Sequence, residues 1–351
     1  MRDTIFLVAI LTIPACGGSS SIATTPMDAA AVDPDAPAGD TGAPGGSDAK
    51  ASGCDLAAKL CTKLAACAPF LLKAVYGDVT TCSDRLTLAC TEQSRSTGSG
   101  MTANNLQHCA DALDTAACKD VFANNVPACT FHGTLPDGAT CGDGSQCVSG
   151  FCSQGGSLCG VCAAKGAAGS ACPSGSNDEC QTGLVCSSGK ICAQPAAVGL
   201  ICDDTTQPCL TGLFCTAAAK TCALTVPAGQ DCPGAYFNFV DGTLCSAKSS
   251  AANPQVGTQI GSASAGQPCG LAPGNGSPAT LCAPGSVAAC SRAPDGILLL
   301  GIPTKGLCKD PRDDGFTCTA TDICQPGAQC ISGFCRIPSG RYCQQPVDAG
   351  S

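Results

Sequence analysis

Tryptophan is absent from the 351 residues, aromatics of every kind make up 4%, charged residues 13%, and histidine occurs only twice. Each shortage excludes something. With so few large apolar side chains, a 30-residue stretch cannot bury enough surface to offset its conformational entropy, which excludes a core built on side-chain packing alone over much of the chain. His108 and His132 leave little from which to assemble a nucleophilic triad or a histidine-ligated metal centre. Basic residues are outnumbered, 18 against 27 acidic, and a net charge of -9 excludes the electrostatic footprint of a nucleic-acid binder. No apolar run reaches the length needed to span a bilayer. Cysteine, by contrast, is abundant: 33 of them, beside 43 glycines and 24 prolines. That density belongs to disulfide scaffolds of oxidising compartments.

The cysteines follow an internal repeat. A glycine stands three residues ahead of a cysteine at Gly138/Cys141, Gly169/Cys172, Gly199/Cys202, Gly229/Cys232, Gly266/Cys269 and Gly315/Cys318. The first four of these cysteines are separated by 31, 30 and 30 residues, and the later steps stretch to 37 and 49. Inside four units a second phrase recurs, a glycine and one or two apolar residues ahead of a cysteine: Gly150 to Cys152, Gly183 to Cys186, Gly212 to Cys215 and Gly333 to Cys335. Positive backbone angles at the opening glycines would let each unit turn into its first bridge. Asp-Gly pairs at residues 137, 143, 241, 295 and 314 predict hairpins and turns.

Ahead of the repeats, residues 54–130 have a helical texture with eight cysteines. Leu56, Leu60 and Leu64 recur beside Cys61 with Pro69 as a stop. Cys82, Leu86 and Cys90 form a second stripe, Thr102 caps a third carrying Leu106, Cys109 and Leu113, and Cys118, Val121 and Phe122 suggest a short fourth. Eight cysteines allow 105 pairings, and none is assigned. The expected fold class is small disulfide-rich: a short disulfide-stapled helical bundle followed by an array of hairpin and turn repeats. The reading divides the chain into 1–16 and 17–53, the helical domain 54–130, compact repeats 137–222, enlarged degenerate repeats 223–310 and a final repeat 311–343.

The first 16 residues read as a secretory signal, with an apolar run from Ile5 to Ile13. Its ending, Ile13-Pro14-Ala15-Cys16, resembles a bacterial lipobox, which implies lipidation of Cys16 and an anchor to the bacterial outer membrane or cell surface. Removing Cys16 leaves 32 cysteines, 8 in the helical region and 24 beyond it, both even numbers. Residues 17–53, rich in Gly, Ser, Ala, Pro and Asp, read as a disordered tether spanning roughly 35 Å. The units from Cys141 to Cys222 and from Cys318 to Cys343 resemble the cysteine-rich repeats of the Dickkopf N-terminal type, in the style of EGF-like modules. The whole layout resembles the cysteine-rich lipoproteins abundant in myxobacteria. That resemblance implies a disulfide-held binding module, with no particular receptor carried over.

Chemistry has few footholds. Cys159-Gly160-Val161-Cys162 is the lone CxxC, which a zinc site or a redox dithiol would need in company. Asn177-Asp178-Glu179 resembles the calcium ligands ahead of some EGF-like modules, with Ser176 where an acid is wanted. The expectation is therefore no catalytic residue, no metal and no cofactor. The favoured function is a surface-anchored, extracytoplasmic binding or adhesion module with an extracellular protein or glycan partner, attached to the membrane through its lipid. A structural spacer of the envelope is the alternative, and a zinc or redox protein the third. Two apolar stretches interrupt the rhythm, and their Tyr236, Phe237, Phe239, Leu298 and Leu299 are the candidate partner-binding residues. They sit in inserts of twelve and seventeen residues between cysteines, where the compact units have six or seven.

Overall fold

The first helix forms where leucines and cysteines share one face. In the computed structural model, which describes residues 53–122, 125–154, 157–210, 212–216, 218–233, 236–238, 240–245, 256–264, 266–270, 280–282, 306–319, 322 and 324–343, helix α1 (Leu56–Cys67) buries Leu56, Leu60, Cys61, Leu64 and Cys67. It ends just ahead of Pro69, as the sequence indicates. The same proline then opens a helix that the apolar spacing did not announce, α2 (Pro69–Tyr76). A proline in the first turn forfeits no hydrogen bond, because that amide has no intrahelical acceptor. Helix α3 (Val79–Ser94) is capped by Asp78, whose carboxylate accepts from the Thr81 amide at 2.7 Å. Helix α4 (Ala103–Thr115) is capped by Thr102, as expected, with the Asn105 amide 3.3 Å from its hydroxyl. A single turn and a half, α5 (Cys118–Phe122), follows.

Four bridges staple this region, Cys54–Cys90, Cys61–Cys82, Cys67–Cys118 and Cys109–Cys129, so its eight cysteines pair among themselves. The first ties the segment just ahead of α1 to the last turns of α3, the second ties α1 to the first turn of α3, the third ties α1 to α5, and the last pins α4 to the turn at Pro127–Cys129.

Beyond residue 130 the structure consists of short two- and three-residue strands in small sheets joined by turns. In the units that begin at Cys172, Cys202 and Cys318, first cysteine bonds to third and second to fourth, Cys172–Cys186 with Cys180–Cys192 and Cys202–Cys215 with Cys209–Cys222, for example; in the unit that begins at Cys141 the first again bonds to the third, but the second, Cys147, bonds to the fifth, Cys162. The interior of a compact unit is largely its own sulfur, as in the buried cluster of Cys172, Cys180, Cys186 and Cys192. Spans of 11 to 15 residues make each such bridge worth about 3 kcal/mol in lost unfolded-state entropy.

The six opening glycines share one geometry. Gly138, Gly169, Gly199, Gly229, Gly266 and Gly315 all have φ between 78° and 85°, and a Cβ on any of them would meet nothing within 4 Å. Glycine is there for its backbone angle and not for space. In five of the six, its amide donates to the carbonyl of the cysteine that closes the unit's second bridge: Cys162, Cys192, Cys222, Cys308 and Cys335, at 2.8 Å each. In the unit beginning at Cys232 the acceptor is Gly257, at 2.9 Å. The Asp-Gly pairs divide in role: Gly138 and Gly315 make these opening turns, Gly242 turns a hairpin between Tyr236–Phe237 and Thr243–Cys245, and Asp143 caps a short 3-10 turn, Gly144–Gln146. Asp295 and Gly296 lie outside the described residues.

The chain does not run away from the helices. Ile260 and Leu281, from the enlarged units, are buried against Ala68 and Ala74, with Phe70, Leu71 and Leu244 packed alongside. The final unit comes back furthest: Cys318, Cys324, Ala328, Cys335 and Ile337 belong to the same buried cluster as Leu60, Leu64, Leu86 and Leu106. A bridge 184 residues long, Cys159–Cys343, then ties the end of the final unit to the first.

Candidate functional site

Three distant stretches meet where the chain returns. Gln146, fully buried, accepts from the Gly142 and Asp143 amides at 2.7 and 3.3 Å through Oε1, and its Nε2 donates to the Thr97 carbonyl at 2.8 Å. The Gly340 amide donates to Ser96 Oγ at 3.0 Å. The approach leaves no room for side chains on the two glycines: a Cβ on Gly142 would lie 2.4 Å from the Gly340 Cα, and one on Gly340 would lie 2.2 Å from Gln146 Oε1. The α3–α4 connection, the first unit and the closing segment are thereby held in one register.

Arg85, on α3, makes a second tie to the final unit. It is one-tenth exposed, its Nε donates to the Pro326 carbonyl at 2.7 Å, and its two terminal nitrogens meet the Asp314 carboxylate, Nη2 to Oδ1 at 3.0 Å. A forked guanidinium–carboxylate pair fixes orientation as well as distance. Tyr76 is buried nearby, and burial pushes its hydroxyl above the ordinary tyrosine range.

Between these contacts lies a cleft of about 500 Å³. Leu88, 41% exposed on α3, and Ile337 and Tyr342 of the final segment supply its apolar lining. Its charge is carried by Glu92, Asp314, Arg336 and Arg341. Arg341 pairs with Glu92 at 2.9 Å and lies over the Tyr342 ring at 5.2 Å, and Arg95 approaches the same carboxylate at 3.8 Å. Asp314 is taken by Arg85. Arg336 lies over the Phe334 ring at 5.1 Å and, among the described residues, has no carboxylate partner. The cleft therefore pairs an apolar wall with one uncommitted guanidinium.

The residues singled out from sequence fall elsewhere. Tyr236 and Phe237 form a strand pairing with Leu244 and Cys245. Phe239, Leu298, Leu299 and Cys16 lie outside the described residues. Next to that strand, the Phe70 amide donates to the Val240 carbonyl at 3.4 Å, and the Phe70 ring fills the space over Gly242. The fourth unit is thus docked on α2 through its backbone, while the Val240 side chain remains exposed.

The two halves of the CxxC go to different partners, Cys159 to Cys343 and Cys162 to Cys147. In several units three sulfurs lie within 4.8 Å of one another, a spacing that would suit a metal, yet each is in an S–S bond and offers no thiolate while bridged. The crowding follows from two bridges packed side by side in one small core, as in the units that begin at Cys172, Cys202 and Cys318. Asn177 and Glu179 turn their oxygens to backbone amides, those of Cys186 at 2.5 Å and Ser174 at 3.1 Å. Burial pushes the Asp178 carboxyl up to about 6, opposed by the nearby Lys165 charge. His132 Nδ1 lies 3.0 Å from the Val148 carbonyl, and His108 sits exposed on α4.

Thirty of the 33 cysteines form fifteen bridges within the described residues, and Cys269 is bridged as well. Bonding on this scale belongs to an oxidising, extracytoplasmic compartment. No helix among the described residues is long and apolar enough to cross a membrane. Compared with known family models, with curated proteins and with solved structures, the chain matches none.

Proposed function

We propose that the protein is a non-catalytic, extracytoplasmic binding module, anchored to a bacterial surface through lipidated Cys16 and built as Dickkopf-style repeats arrayed around a helical bundle. The observation that carries the reading is the cleft between α3 and the final unit. Its two walls come from residues about 250 positions apart in sequence and are brought together by Arg85, Gln146 and the Cys159–Cys343 bridge. An apolar wall with a free guanidinium beside it is the composition of a recognition site, since buried apolar contact supplies affinity and arginine supplies orientation. The insert residues Tyr236, Phe237, Phe239, Leu298 and Leu299 form a second proposed contact surface.

Binding of the oxidised protein to whole cells and envelope fractions tests this. A binding module gives a saturable isotherm that weakens at least tenfold in Leu88→Arg, which fills the cleft from an exposed position on α3. Non-saturable association, equal in both proteins, would favour an envelope spacer instead.

A further inference from the structure

We infer that the Cys159–Cys343 bridge is a site of thiol–disulfide exchange, opened by a dithiol reductant, and that its opening releases the closing turn Gly340–Cys343 from the helices. The lone CxxC of the chain supplies one half of the bridge, Cys159, while Cys162 is buried in a bridge of its own with Cys147.

Exchange makes two demands. One sulfur must be open to an incoming thiolate, and the other must carry the charge that leaves, which an apolar interior opposes. Cys159 and Cys343 are both partly exposed. Every other bridge among the described residues has at least one buried cysteine. Cys67–Cys118 shows the difference. Cys118 is exposed, but attack there would leave the charge on the enclosed sulfur of Cys67, a residue only 4% exposed.

The reductant's thiolate attacks one sulfur of the bridge, the S–S bond breaks, and the other sulfur leaves with the electron pair. A mixed disulfide then joins protein and reductant. The reductant's second thiol attacks its own sulfur in that mixed bond and releases the first cysteine. Two electrons pass to the bridge, the reductant ends as a disulfide, and its two thiol protons balance those taken up by Cys159 and Cys343.

Beyond the close packing of Gly340 on Gly142 and Gln146, the closing turn has few polar ties to the helices. The Gly340 amide donates to Ser96 Oγ at 3.0 Å, and Arg341, its side chain 54% exposed, reaches Glu92 at 2.9 Å, a carboxylate it shares with Arg95. An ion pair so exposed adds little. Ser339, just ahead of the turn, works against docking: it is 2% exposed and its hydroxyl has no hydrogen-bond partner among the described residues. Release lets water reach that hydroxyl. Because Arg341 and Tyr342 line the cleft, opening the bridge also removes part of one cleft wall.

The test is timed exposure of the oxidised full chain to a limiting amount of dithiothreitol, with samples quenched by alkylation and mapped by mass spectrometry. Cys159 and Cys343 should be labelled about tenfold faster, or more, than any other bridged cysteine. A brief trypsin pulse on the alkylated samples reads the release. Cleavage after Arg341 should rise about tenfold in step with that labelling, and in Cys159→Ser/Cys343→Ser it should be fast without reductant. Earlier or equal labelling of Cys67 and Cys118, or of a pair inside a compact unit, would overturn the inference. So would labelling of Cys159 and Cys343 with cleavage after Arg341 unchanged. If the serine protein fails to fold, the dithiothreitol series on the native chain decides alone. None of these readouts involves ligand binding, which keeps the bridge and the reading of the cleft separately testable.

Discussion

Replacing Cys159 and Cys343 together by serine removes the bridge with the longest reach among the described residues. Chain-entropy reasoning gives about 5 kcal/mol for closing a 184-residue span, against about 3 kcal/mol for the 12-residue span of Cys180–Cys192. Local bridges inside the large ring shorten its effective path to roughly 110 residues, but the dependence is logarithmic and the loss is only about half a kcal/mol. The two removals should also be felt in different places. The final unit shares its buried cluster with α1, α3 and α4, so opening the ring weakens the packing of the helices themselves. The Cys180–Cys192 bridge lies in a separate sulfur-lined core. Urea unfolding followed by circular dichroism at 222 nm reads the helices. The Cys159→Ser/Cys343→Ser protein should unfold at clearly lower urea, while Cys180→Ser/Cys192→Ser leaves the helical transition nearly in place. Equal shifts, or a larger one for the local pair, would refute the idea that the return of the chain supports the helical core.

Gly199→Ala should cost about 1–2 kcal/mol despite open space around the missing Cβ, because φ of 80° strains any L residue; Gly199→Asn should cost less, and urea midpoints decide it. Arg85→Ala should cost about 2 kcal/mol, reduced from the figure for a fully buried pair because Asp314 is 36% exposed and can be rehydrated, and faster proteolysis of the final unit should accompany it. Gln146→Ala should cost about 3 kcal/mol, since two buried amides and a carbonyl lose their partner together. Asp178 binds a proton more tightly folded than unfolded, so its contribution destabilises above a pH of about 6 and is relieved as pH falls from there toward the unfolded carboxyl range near 4; Asp178→Asn should flatten that part of the stability profile. Cys16→Ser should move the protein from membranes to the soluble fraction, as retention in the membrane would contradict the proposed anchor.

Much of this architecture was legible in the sequence, for local reasons. Leucine and cysteine stripes marked α1, α3 and α4 because one helical face is a matter of spacing, and Thr102 marked a cap because its hydroxyl serves an amide three residues on. The opening glycines were legible because a recurring φ near 80° demands a recurring residue. Helix α2 was obscured by Pro69, which ends one helix and begins the next. The return of the final unit had a signal in plain sight. Compact units hold four cysteines, whereas the first and last hold five, so Cys159 and Cys343 are each left over and complete one another. The cleft had none, since Leu88 and Arg336 are nearly 250 residues apart and nothing in either neighbourhood names the other.

Disulfide mapping of the unreduced, alkylated protein by mass spectrometry of proteolytic fragments tests the central claim most directly. The expected result is a Cys159 peptide joined to a Cys343 peptide, a Cys147 peptide joined to a Cys162 peptide, and no alkylated cysteine among the bridged positions. A Cys159–Cys162 bond within the CxxC, with Cys343 alkylated or paired elsewhere, would contradict the folded-back ring and the cleft that depends on it.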